Sequence, residues 1–359
     1  MRSTFAAAEF HLAEPFVTAR GALTTVRQIL LELTWDGLTG VGVAHLADRE
    51  GWGEEAVRAS LQTALRQIAG RTPADAASLL NRLETGTPAA CSAASAVDMA
   101  VHDLLGQVAG LPLRRLWRLP EEPAAPTAIS LGADDGRLLQ QRAMELIRWP
   151  VIKVKMTPGD DANRVAMLRD MYPGRIWVDG NGCWDRRGAI AMAEKLHGYG
   201  VELLEQPVPA GNPDVVRAVR AASPIPVVAD EDCCTPLDVL RLRGCVDVVN
   251  IKLFRCGGLL RALRMIRLAR RAGLRVMLGC KTESAVGVTA MAQLAGLADY
   301  LDLDGHLDLL DDPYRGIAVE TGHLRLPTTP GLGLVRVSDA EGGGAARRPA
   351  PAAASKGLR

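Results

Sequence analysis

From Thr127 onward, short apolar runs alternate with longer stretches of helical spacing. The runs fall at 127–131, 151–155, 175–179, 201–205, 226–230, 247–252, 275–280 and 299–302. Between them, Asp161–Met171, Asp185–His197 and Leu259–Arg271 repeat their apolar residues at the helical period. A short, continuously apolar run is how a strand buried on both faces of a parallel sheet reads. Eight strand–helix units in succession predict a (β/α)8 barrel rather than an open doubly wound sheet.

The chain before this region reads differently, as α+β. Val26–Trp35 has strand character, and Asp36-Gly37 and Thr39-Gly40 supply turn chemistry. Ser60–Ile68 and Ala76–Leu83 have helical spacing, and Ala93–Val108 is a long apolar-faced helix stopped by Gly110 and Pro112. A proline-rich joint, Pro120–Pro126, follows. The expected division is 1–120 as an α+β lobe, 121–314 as the barrel, 315–337 as a return to the first lobe, and 338–359 as a tail. From Ala340 the chain is Gly/Ala/Pro-rich without apolar periodicity, so disorder is expected there.

Composition narrows the function. Hydrophobic residues make up 48% of 359, enough for a large packed interior, and 42 basic residues balance 41 acidic ones. That balance argues against a polybasic binder of nucleic acid or anionic membranes. No run of about 18 apolar residues occurs, and Met1–Phe5 leads into alternating residues without a secretory core, so a cytoplasmic protein is expected. The seven cysteines show no C-x-x-C pair, which speaks for reduced thiols and against structural zinc. Lysine is scarce: six residues, with the other 36 basic residues arginine, and none before Lys153. Lysine can lose its proton in a suitable environment and arginine effectively cannot, so Lys153, Lys155, Lys252 and Lys281 draw attention.

Those lysines fall in a pattern. Lys155, Asp179, Glu205, Asp230, Lys252, Lys281 and Asp302 each close an apolar run, at intervals of 21 to 29 residues. In a barrel all such positions converge on the C-terminal mouth. Alone, each carboxylate reads equally well as a loop charge or helix cap. Three from consecutive strands would repel one another unless a cation joined them. All-oxygen ligands without histidine favour Mg²⁺ over Zn²⁺, with Asp179, Glu205 and Asp230 as its ligands. Lys155 and Lys252 close the second and sixth strands, on opposite sides of the mouth. Two such amines can address both faces of a carbon next to a carboxylate: 1,1-proton transfer through an enediolate. Lys153 and Lys155 share one strand face, and their like charges are expected to lower each other's pKa.

Lys153-x-Lys155, Asp179-x-Asn181-x-x-Trp184, Glu205-Gln206-Pro207, Asp230-Glu231 and Asn250-x-Lys252 with Gly257-Gly258 resemble the enolase superfamily, specifically its muconate-lactonizing-enzyme subgroup. The resemblance spans about residues 10–335. It implies a modified (β/α)8 barrel under an α+β capping domain, one essential Mg²⁺, and Lys155 and Lys252 as the acid–base pair. Asp302-x-Asp304 resembles the Asp-x-Asp of dipeptide epimerases, and a second acidic pair in this mouth suits a substrate bearing an ammonium group. The likeness further suggests Thr127, Lys153, Cys280 and Thr282 as substrate contacts. The expected function is a dipeptide epimerase acting on the C-terminal residue; the rivals are N-acylamino acid racemase, o-succinylbenzoate synthase or cycloisomerase, and a non-catalytic binding barrel. The expected partner is a small molecule, with neither nucleic acid nor membrane, and barrels of this type often form homo-oligomers. Lys281 departs from the usual apolar residue: it receives an acidic substrate side chain, or it pairs with Glu283. Arg20, in the segment Phe16–Gly21, is a further candidate contact for an anionic group.

Overall fold

The computed structural model describes residues 1–18, 21–47, 52–132, 136–159 and 162–337. Arg20 and the tail 338–359 lie outside these residues.

The chain opens with an antiparallel meander of β1 (Arg2–Thr18), β2 (Gly21–Trp35) and β3 (Leu38–His45). Asp36 and Gly37 join β2 to β3 with φ of 47° and 77°, the left-handed pair that a two-residue hairpin requires. β1 lacks a legible apolar pattern because it is an edge strand, bridged on its outer side at Leu12 to Leu309, and buries little beyond Phe10 and Leu12. Helices α1 (Glu54–Ile68), α2 (Pro73–Leu79) and α3 (Pro88–Ala109) cover the sheet. Thr87 caps α3 by accepting the Ala90 N–H at 3.2 Å, and Gly110 ends it at φ 65°. α3 lies very close to β3. A Cβ on Gly42 would stand 1.9 Å from the Ala96 carbonyl oxygen, so only glycine permits this approach.

After the short α4 (Leu113–Leu116) the barrel follows in strict alternation. Its elements are β4 (Ile129–Leu131), α5 (Gly136–Glu145), β5 (Val151–Lys155), α6 (Asn163–Arg169), β6 (Arg175–Asp179) and α7 (Arg186–Gly198). They continue through β7 (Val201–Glu205), α8 (Pro213–Ala222), β8 (Val227–Ala229), α9 (Pro236–Arg241) and β9 (Val248–Ile251). The series ends with α10 (Leu253–Cys256), α11 (Leu259–Arg271), β10 (Arg275–Gly279), α12 (Ala285–Ala292) and β11 (Tyr300–Asp302). Among the described residues the eight strands pair in chain order. A parallel bridge from Thr127 to Leu301 joins the last strand to the first. Ala128, Val151, Trp177, Leu203, Val228, Val248, Met277 and Tyr300 form one buried layer inside, so the lumen is a core and not a pore.

Thr127 therefore has another task than the one expected of it. It is wholly buried; its Oγ1 accepts the Leu303 N–H at 2.7 Å and donates to the Ala128 carbonyl at 3.2 Å. It seals the barrel and does not border the cavity described below.

Two aspartates of α3 tie the lobes together. Asp98 accepts the Leu259 N–H at 2.7 Å and so caps α11, whose own N-cap, Gly258, has no side chain to offer. Asp103 accepts the Val41 N–H at 3.0 Å and the Leu332 N–H at 2.8 Å, joining β3 to the returning C-terminal segment. Burial pushes the Asp103 carboxyl up to about 6, with those amides and Gln107 acting against it. The native state then keeps a proton that the unfolded chain has already released. Stability from this site is present below the unfolded value of 3.8 and is lost as pH rises toward 6. Asp103→Asn does not titrate. In urea titrations, the stability of wild type minus that of Asp103→Asn is expected to fall by up to about 3 kcal/mol between pH 4 and 7. A difference that stays constant over this range would refute the shift.

Candidate active site

The barrel register places the charged strand ends on one rim. Lys155 pairs with Asp179, and Asp179 with Glu205, on a single rung across β5, β6 and β7. Asp230 follows β8, Lys252 follows β9, and Asp302 ends β11. Lys155 and Lys252 thus belong to the second and sixth of eight strands and face each other across the mouth.

The acids meet through amines. Lys153 Nζ lies 2.7 Å from Glu205, 2.7 Å from Asp302 and 3.5 Å from Asp179. Lys155 Nζ lies 2.6 Å from Asp179, and Lys252 Nζ 2.9 Å from Asp230. The other Asp230 oxygen accepts from Arg255 at 2.6 Å, and Asn250 donates to Glu205 at 2.9 Å. Among the described residues, no three His, Cys, Asp or Glu side chains close on one point that a cation could fill. Lys153 stands between Glu205, Asp302 and Asp179 and links acids from three strands.

Electrostatics follow from this arrangement. Burial pushes the Asp179 carboxyl up, but Lys155 and Lys153 outweigh it and hold the group at about 2. Asp230 is raised by burial and driven well below the carboxylate range by Arg255 and Lys252. Glu205 goes the other way, to about 7: burial dominates, Lys153 works against it, and Asp179 and Asp230 add repulsion. Burial would lower Lys153, yet Asp302, Glu205 and Asp179 hold it well above the ordinary lysine value. The mutual lowering expected of Lys153 and Lys155 does not govern Lys153. Three acids from across the barrel outweigh one neighbour on its own strand, and with no exposed surface Lys153 is an internal ion pair rather than a substrate contact. Lys252 is also raised: burial works to lower it, and Asp230 together with Glu205 works to raise it.

Above this network is a cavity of about 410 Å³. Lys155, Asp230, Lys252, Cys280, Lys281, Thr282, Asp302 and Asp304 border it, and the N-terminal lobe closes it with Phe16, Leu23, Val26 and His45. Asp302 is only half available for the ammonium-binding role expected of it: Oδ2 holds Lys153, while buried Oδ1 has no hydrogen-bond partner. Asp304 accepts the Ser130 N–H at 2.6 Å, and the Cys280 thiol donates to the Asp302 carbonyl at 3.1 Å. Lys281 Nζ sits 5.1 Å above the centre of the Phe254 ring. Glu283 bonds His45 at 3.0 Å and accepts the Lys281 backbone N–H at 3.4 Å.

Sequence reasoning gave no site role to Ser130, Asn181, Glu231 or Arg255, all at the cavity wall. Arg255 was legible in principle, one helical turn beyond Lys252. Ser130 is the residue that the first strand sends to the cavity in place of Thr127.

A parallel barrel with two lysines opposed across buried carboxylates defines a class of enzyme that moves a proton at a carbon beside a carboxylate. The chain belongs to the mandelate racemase/muconate lactonizing enzyme family. Residues 1–117 match the model of that family's N-terminal domain, and residues 137–340 match the enolase C-terminal domain-like model. It is 32% identical over 340 residues to an L-Ala-D/L-Glu epimerase of Bacteroides thetaiotaomicron, covering 94% of this chain and 88% of that one. It is 35% identical over 343 residues to an L-Lys-D/L-Arg epimerase of Methylococcus capsulatus, covering 91% and 96%. Among solved structures, a dipeptide epimerase of Methylococcus capsulatus complexed with Mg and L-Arg-D-Lys superposes with a TM-score of 0.86 at 32% identity, over 93% of this chain and 99% of that one.

Proposed function

We propose that this protein is a Mg²⁺-dependent dipeptide epimerase that inverts the α-carbon of the C-terminal residue. The observation that carries the reading is the opposition of Lys155 and Lys252 across Asp179, Glu205 and Asp230. The epimerase relatives and the dipeptide-bound structures support it.

The donor set fits a hard divalent cation. It is all oxygen and deeply buried, and the repulsion that lifts Glu205 is what such an ion relieves. Asp179, Glu205 and Asp230 would hold it; bound there, it supplies positive charge against the substrate carboxylate and against the charge that develops when the α-proton leaves. The lysines do the rest. One, neutral, takes the α-proton from its face of the substrate. The other, protonated, delivers a proton to the opposite face, so the lysines exchange states and the turnover consumes no net proton. Asp302, through Oδ1, and Asp304 receive the dipeptide ammonium. Thr282 and Cys280 border its backbone, and the apolar wall of the N-terminal lobe keeps water from the carbanion. The partner is thus a small molecule rather than nucleic acid or membrane, and the free thiols and balanced charge suit the cytoplasm. Among the described residues no helix is long and apolar enough to cross a membrane.

A dipeptide library incubated with the protein and Mg²⁺ in D₂O tests the proposal. A mass gain of one unit together with the appearance of the second epimer is expected for at least one member. Incorporation into N-succinyl amino acids but not into dipeptides would replace it with the racemase reading.

A further inference from the structure

Resting on the dipeptide reading for its substrate, we infer that His45 and Glu283 are positioning residues: through their hydrogen bond the N-terminal lobe sets the shape of the barrel loop 280–284, and with it the affinity of the site. Cys280, Lys281 and Thr282 of this loop border the cavity.

The loop is gripped from two sides. On the barrel side, the Cys280 N–H donates to the Asp302 carbonyl and the Glu283 N–H to the Gly305 carbonyl, each at 3.1 Å. Gly305 lies so close that a Cβ on it would stand 1.8 Å from the Lys281 carbonyl oxygen. On the other side the N-terminal lobe supplies side chains. Gln28 of β2 is buried and accepts the Ser284 N–H at 2.9 Å. His45 ends β3, is buried, and its Nε2 lies 3.0 Å from Glu283 Oε2. A carboxylate only accepts, so the imidazole is the donor in this bond.

Glu283 is the joint between the two sides. Its Oε1 turns back to the Lys281 N–H at 3.4 Å and closes residues 281–283 into a turn. A buried carboxylate is unfavourable unless donors meet it. Here one donor comes from the loop's own backbone and the other from the opposite lobe. The fold keeps room for the arrangement, since a Cβ on Gly287 of α12 would stand 2.1 Å from Glu283 Oε2. The imidazole is in turn held from behind. Ser92 of α3 donates to the His45 carbonyl at 2.9 Å, and the buried Phe254 ring lies 4.7 Å from the imidazole, centre to centre. The connection thus runs from α3 through His45 and Glu283 to residues that border the substrate. It passes through neither Lys155 nor Lys252, so breaking it weakens binding and leaves proton transfer intact.

The test measures kcat and KM with Mg²⁺ for whichever of L-Ala-L-Glu, L-Lys-L-Arg and L-Leu-L-Tyr wild type turns over fastest. It also measures amide hydrogen exchange of residues 280–286 without substrate. The variants are His45→Phe, which keeps a ring against Phe254, Glu283→Ala, and the two combined. Each single variant is expected to raise KM about 10-fold with kcat within about twofold of wild type, the pattern of lost ground-state binding. Either substitution breaks the same bond, so the double variant should be no worse than the more impaired single one. His45→Gln, which keeps an N–H for Glu283, should bring KM to within about threefold of wild type. Exchange at 280–286 is expected to quicken about 10-fold in His45→Phe while α11 keeps its wild-type rate. The inference is overturned by KM increases that multiply in the double variant, by a His45→Gln as impaired as His45→Phe, or by a loss confined to kcat. Exchange at 280–286 that stays at the wild-type rate overturns it as well. If wild type turns over none of the three dipeptides, the dipeptide reading fails for them and the exchange rates alone decide the positioning role.

Discussion

Replacing Lys252 with alanine is expected to lower kcat/KM for epimerisation by about 10³-fold or more, the scale of a lost general acid–base group. The pattern of the residual chemistry is more informative than its size. Lys155 remains on its own face of the site. It can still remove the α-proton of whichever epimer presents its hydrogen to that face and return a deuteron from D₂O to the same side. Lys252→Ala should therefore exchange one epimer without inverting it and leave the other inert, and Lys155→Ala should show the mirror pattern. Proton NMR of each epimer separately in D₂O reads this directly. The substitution does not strip Asp230 of its positive neighbours, because Arg255 still donates to it at 2.6 Å. Loss of exchange from both epimers in each variant would mean that the two lysines act as one unit rather than on opposite faces. Retained inversion in either variant would remove the opposed pair from the mechanism.

The strand-end pattern was legible because a barrel turns position along the chain into position on a rim. Once eight apolar runs are recognised, the residue that closes each run must face the mouth, and no tertiary knowledge is needed. β10 at 275–279 and α11 at Leu259–Arg271 lie where the pattern put them for that reason. What the spacing does not encode is which charges meet across the lumen. Lys153 and Lys155 look alike in one strand, yet Lys153 is enclosed by acids from β6, β7 and β11 while Lys155 keeps 15% of its side chain exposed. The difference is set by depth, since Lys153 sits one layer below the rim. Thr127 was misplaced for the same reason: it starts its strand, and only closure against Leu301 shows that its hydroxyl is spent on the seam. β1 was illegible on other grounds, because an edge strand with both faces largely exposed has no hydrophobic period to read.

Depth also governs the second large effect. Lys153→Met is expected to destabilise the metal-free protein by about 3–5 kcal/mol, the usual result of removing one partner from a buried ion pair. The methionine nearly fills the volume, so packing contributes little. What is lost is an amine that contacts both Glu205 and Asp302, each at 2.7 Å and each almost wholly buried. Without it the folded-state value of Glu205 rises further, since burial and the remaining acids act with less opposition. A carboxyl raised in the native state contributes stability that is present below its unfolded value, near 4, and lost as pH climbs through the folded value. The deficit of Lys153→Met should therefore be small at pH 4.5 and grow toward pH 7.5, as protons that neutralise the acids in place of the amine leave. Urea titrations of both proteins with chelator at the two pH values measure it. A deficit of equal size at both would assign Lys153 to packing and remove it from the charge balance of the site.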